Sequence, residues 1–132
     1  MKYLILFLVS NRFFSSPCQP RFKNEWAFDL PMDSEEIGAV WNRIPSDVDV
    51  LITHGPPKGI LDLTFRGDHS GCPRLLARVK EIKPKLHVFG HIHEGYGVEK
   101  DESTIFVNAS TCDLQREPKQ KPIVVDLPKK NV

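Results

Sequence analysis

The chain has 132 residues, 40% of them apolar and 27% charged, the make-up of one small globular domain with a modest core. Eighteen basic residues nearly cancel 17 acidic ones, leaving a formal net charge of +1, so neither nucleic acid nor a membrane surface is an expected partner. Three scattered cysteines, Cys18, Cys72 and Cys112, argue against a disulfide framework or a zinc knuckle and make a reducing, cytoplasmic setting the default.

Residues 1–10 join one lysine to an apolar run that is too short to span a bilayer. The run reads either as a buried strand or as a minimal secretory signal that lacks a small-x-small cleavage site. Ser15 to Pro20 is rich in turn formers and predicts a break between elements. Arg21 to Leu30 carries Phe22, Trp26 and Phe28 at a spacing that fits neither helix nor strand, so a loop packing its aromatics onto the core is expected, with a substrate-facing aromatic as the alternative. Asp33 or Ser34 is placed to cap a helix from Glu35 to Arg43. Ile37, Val40, Trp41 and Ile44 lie along one face of it, and Pro45 is its stop.

Val48 to Thr53 is apolar at nearly every position, the pattern of a strand covered on both faces. A proline-stiffened loop follows from Gly55 to Gly59. Residues 60–70 look irregular and are expected to line a cleft, with His69 on the surface. Cys72-Pro73 opens a second helix with Leu75, Leu76, Val79 and Ile82 as its buried stripe, ended by Pro84. Leu86 to Phe89 is a short strand that holds His87 as a packed, hydrogen-bonded core histidine. Tyr96 to Lys100 and Thr104 to Asn108 form a hairpin, and Ile123 to Leu127 is a last short strand.

This order predicts an α/β fold with a mixed sheet and about two helices. Residues 1–15 form a strand-like or signal-like start, 16–128 the domain and 129–132 a tail, with no internal repeat or dividing linker. Two helices cannot cover two sheet faces, so one face is expected to want a partner and the isolated chain to self-associate.

Two of these strands run into a glycine-broken loop that bears histidine. The first loop is Thr53-His54-Gly55-Pro56-Pro57; the second is Phe89-Gly90-His91-Ile92-His93-Glu94-Gly95-Tyr96-Gly97. Neutral imidazole is a common nitrogen ligand of divalent metals, and α/β folds place chemistry on loops at the carboxyl ends of strands. Extended backbone sends residues i and i+2 the same way, so His91 and His93 are able to serve one ion or two adjacent ones. Alone, His-x-His is matched equally well by an exposed pair; His54, after a second strand of the same design, favours a metal centre.

Both loops resemble the last two motifs of the calcineurin-like metallophosphoesterases. They are most similar to the animal metallophosphoesterase-domain-containing branch, which is related to class III cyclic-nucleotide phosphodiesterases. Val107-Asn108-Ala109-Ser110 and Pro122-Ile123-Val124-Val125-Asp126-Leu127-Pro128 fit that branch as well, so the resemblance runs over residues 16–128 and matches the C-terminal half of the family's domain. It implies part of a four-layer α-β-β-α sandwich and a hydrolase of phosphodiesters, cyclic nucleotides among them. It also implies two divalent ions (Mn, Fe or Zn), with His54 and His91 on one and His93 on the other.

The family's Asp-x-His, Gly-Asp and Gly-Asn-His motifs are the point of departure. They supply the bridging aspartate, most ligands of the first metal and the histidine that protonates the leaving group. None occurs here in context, because Gly67-Asp68 follows His54 in the wrong order. No catalytic residue is therefore assigned, at most one ion is expected on this chain alone, and independent turnover is not expected. The alternative is a truncated, non-catalytic form that pairs with a full-length relative as an interaction or regulatory module. Lys58, Arg66 and Lys100 are read as solvated charges, and the glycosylation sequon at Asn108 as incidental.

Overall fold

A computed structural model describes residues 11–22 and 26–127; the strand-or-signal reading of residues 1–10 lies outside the described residues. In chain order the elements are β1 (Phe13–Ser16), β2 (Gln19–Pro20), β3 (Asp29–Leu30), α1 (Glu35–Asn42) and β4 (Val50–Thr53). They are followed by α2 (Pro73–Ile82), β5 (Leu86–Phe89), a 3-10 turn (His93–Gly95), β6 (Gly97–Lys100) and β7 (Ile105–Asn108). The fold is α/β with a mixed five-stranded sheet in the order β1-β4-β5-β7-β6, in which only the β6–β7 pair is antiparallel. One sheet layer and one helix layer are consistent with part of a sandwich.

The helices begin and end where local chemistry dictates. Ser34 caps α1, its Oγ accepting from the Ile37 N–H, and Ile37 and Trp41 turn inward from that helix. At α2 the cap is Cys72, whose Sγ accepts from the Leu75 N–H, with Pro73 in the first turn where no amide donor is needed. Lys83 closes the helix in the left-handed conformation (φ 49°) just before Pro84.

Both helices pack on one face of the sheet. Ile37, Trp41, Ile44, Leu75 and Val79 meet Leu51, Phe89 and Phe106 in the main core. The alternate residues of the same strands, Val50, Leu86 and Val107, face the other way with Ile52, Val88 and Ile105. Covered on both sides, β4 and β5 read as continuous apolar runs for this reason.

Three expectations need correction. Ser15 and Ser16 do not form a break: they extend β1, paired in parallel with Ile52 and Thr53 of β4. The ladder and the packing of Phe14 on the core outweigh the turn preference of Ser-Ser-Pro. The turn comes later and is itself braced, since β2 and β3 form a two-stranded ladder where a plain loop was expected. Ile123 to Leu127 is not a strand. Ile123, Val125 and Leu127 still alternate inward, but onto the Val50–Leu86–Val107 face, where they have no ladder partner among the described residues. That segment is a strap over the face the helices leave uncovered. Among the described residues no helix is long and apolar enough to cross a membrane.

Candidate metal centre

The ends of β4, β5 and β7 lie side by side, with Ile52 opposite Val88 and Phe89 opposite Asn108. The pairing continues one step further: the Gly90 N–H donates to the His54 carbonyl (2.9 Å) and the Ala109 N–H to the Phe89 carbonyl (2.7 Å). Past this point the chains diverge and a cavity of about 580 Å³ opens, lined by His54, His91, His93, Trp26, Ser110 and Cys112 among others. This size suits a small-molecule site.

His91 sits in the left-handed region (φ 69°), a conformation that non-glycine residues rarely hold without compensation from their surroundings. The turn swings its ring onto His54, so that His54 Nε2 and His91 Nδ1 lie 3.0 Å apart, one donating to the other. Burial first, then the neighbouring His54 and His93, lower the His91 pKa and favour the neutral, ligating form. Phe22 and Trp26 meet the His91 ring edge-on, at centroid distances of 5.5 and 5.9 Å. His93 hangs separately: its Nδ1 donates to the Asp113 carbonyl (2.9 Å), which fixes the tautomer and leaves Nε2 with the lone pair.

Only the His54–His91 pair is spaced as neighbouring ligands of one ion would be. With metal–nitrogen bonds of about 2.1 Å, two nitrogens 3.0 Å apart sit close to the separation of adjacent positions around a single centre. The structure brings His54 and His91 together and keeps His93 on the same cavity wall but outside that pair. Among the described residues no group of three or more His, Cys, Asp or Glu is close enough to hold an ion.

Other residues that shape the site were given no role in it from sequence. Asn108 is fully buried, and its side chain donates to the carbonyls of Leu61 (3.1 Å) and Ile92 (2.8 Å) while accepting from the Ser110 N–H and hydroxyl. It clamps the histidine loop to the end of β7. A side chain so enclosed is no glycosylation acceptor in the folded chain, in line with the incidental reading of the sequon.

Asp62, 1% exposed, accepts from the amides of Gly59 and Gly71 and from His69 Nδ1 at 2.6 Å. His69 is on the surface as expected, yet it is tied to this buried carboxylate. The Phe65 N–H donates to Glu94, pinning residues 60–70 beside the histidine loop. The signal for Asp62 was faint, an aspartate flanked by two leucines in a stretch without period.

His87 is a core histidine as expected. Thr53 Oγ1 donates to the Gly55 carbonyl (2.7 Å) and so accepts from His87 Nε2 (2.9 Å), while Nδ1 has no partner among the described residues.

The chain is 50% identical over 119 residues to Metallophosphoesterase domain-containing protein 1 of Homo sapiens and to that of Mus musculus, matches that take in 89% of this chain and 36% of each relative. It is 44% identical over 116 residues to UPF0046 protein T07D4.2 of Caenorhabditis elegans, covering 87% of this chain and 29% of that one. No family model matches. The chain spans about a third of the length of the curated relatives it matches. At half identity across nearly nine tenths of its residues, with the histidine loops at adjoining strand ends, the chain belongs to the metallophosphoesterase-domain-containing protein family.

Proposed function

We propose that this chain carries the histidine wall of a divalent-metal site for phosphodiester hydrolysis, with His54 Nε2 and His91 Nδ1 holding one ion and His93 Nε2 facing a second position. The observation that carries the reading is the 3.0 Å approach of two imidazole nitrogens at the ends of adjacent strands. A bound divalent ion supplies Lewis acidity, lowering the pKa of a coordinated water and offsetting charge on phosphoryl oxygens. The chain's own residues set the stage. The β4–β5 ladder fixes the spacing of His54 and His91, Asn108 immobilises the loop between His91 and His93, and the Asp113 carbonyl orients His93. Manganese, iron and zinc all accept imidazole nitrogen, and cyclic nucleotides fall within the substrate class.

The test is hydrolysis of a generic aryl phosphodiester by the purified chain with Mn²⁺, beside a His91→Ala/His93→Ala control, with calorimetric titration of the metal in parallel. Metal uptake that vanishes in the control is expected, and any turnover should vanish with it; turnover that survives the double substitution sinks the proposal. A second reading, a non-catalytic module that pairs with a full-length relative, is favoured by the donor set: the close pair is two imidazoles without a carboxylate. Metal uptake without turnover would select it.

A further inference from the structure

We infer that Trp26 is a specificity wall that receives a flat aromatic ring carried by the phosphoester bound at the histidines. The inference rests on the phosphoester reading above and adds to it a residue and a recognition mode.

Three observations carry it. Trp26 lines the same cavity as His54, His91 and His93, yet it is 53% exposed. A core-packing role, the expectation from sequence, requires the opposite. Its backbone is nevertheless firmly placed: the Trp26 N–H donates to Asp29 Oδ2 (2.9 Å), while Asp29 Oδ1 accepts from the buried Gln19 side chain (2.7 Å). The indole thus stands on an anchored turn with much of its surface open.

Finally, Trp26 meets His91 at an interplanar angle of 77°, an edge-to-face contact that engages at most one face of the indole and leaves the other free next to the imidazole. A ring one or two bonds from a phosphoryl group at His91 would come within stacking distance of Trp26. Such stacking tolerates many ring types, since each presents a π-face, and it strengthens binding of the ring-bearing ligand alone.

The test compares phenylphosphonate with methylphosphonate, which share the phosphoryl head, resist hydrolysis and differ in the ring. Each is titrated by calorimetry into the full chain with saturating Mn²⁺. Phenylphosphonate is expected to bind about tenfold more tightly, in line with one aromatic stack. Trp26→Ala should bring the ratio close to one with methylphosphonate affinity unchanged, and Trp26→Phe should retain most of the preference. Circular dichroism confirms that each variant is folded.

Equal native affinities, a preference that survives Trp26→Ala, or no binding of either ligand overturns the inference. So does an equal loss for both ligands in Trp26→Ala, which would make the indole a brace for His91 and nothing more. The two claims fail separately. A Trp26-dependent preference in a chain that hydrolyses nothing sinks the catalytic reading alone, and hydrolysis without ring preference sinks this one alone.

Discussion

His87 shows how one residue can tie stability to acidity. Enclosed against Phe89 and Phe106 and wholly buried, its imidazole has its pKa pushed down by burial from 6.5 to about 3. Between those values the unfolded chain takes up the proton that the folded chain refuses, so folding loses ground as pH falls. The contribution is complete above pH 6.5 and declines below it, by at most about 1.4 kcal/mol per pH unit.

Replacing His87 by Leu should flatten that part of the stability profile, read from urea midpoints at a series of pH values between 6.5 and 4; an unchanged slope would refute the assignment. At this scale the places of the histidines in the fold were legible in the sequence. His54, His91 and His93 each follow an apolar run, and His87 lies within one. Asp62 and Asn108 were not, because what makes them matter are carbonyls and amides brought in from other loops. No local pattern encodes such partners.

Elements whose ends are decided by neighbours in sequence were read closely. Ser34 and Cys72-Pro73 mark the two helix starts, and β5 spans Leu86–Phe89 as expected. Elements decided by distant pairing were not: β1 hides in a Ser-Ser-Pro segment, and the 123–127 strap imitates a strand because its alternation serves packing alone. The histidine loop belongs to this second class. Its 3-10 turn fits only because Gly95 lacks a side chain: a Cβ there would collide with the Leu61 carbonyl and come within 2.8 Å of Asn108 Nδ2.

Gly95→Ala should therefore lower stability by about 2 kcal/mol and, by shifting the loop that carries His91 and His93, weaken metal uptake. Gly55→Ala, where nothing lies within 4 Å of the added carbon, should change the urea midpoint little. Equal midpoints for the two variants would contradict this account of the loop.

Across the whole molecule the two faces of the sheet are unequal. One is sealed by α1 and α2; the other relies on Ile123, Val125 and Leu127, which are only half-buried. A chain ending at Gln120 should expose Val50, Leu86 and Val107 and self-associate more strongly than the full chain. Sedimentation of both forms over a range of concentrations checks this, and identical profiles would show that the strap does not shield the face.

The parallel ladder also has a consequence in time. In the five-stranded sheet β1, β4, β5 and β7 join neighbours that are distant in sequence, and among its described strands only the β6–β7 hairpin closes locally. Contacts with long intervening chain form late, after the entropy of closing those loops has been met. The hairpin is the natural early structure, and the His54–His91 approach, 37 residues apart, waits for β4 to dock on β5. Ion binding should therefore appear as one of the last events in refolding, and a ribosome-bound chain should acquire it only after β7 has emerged.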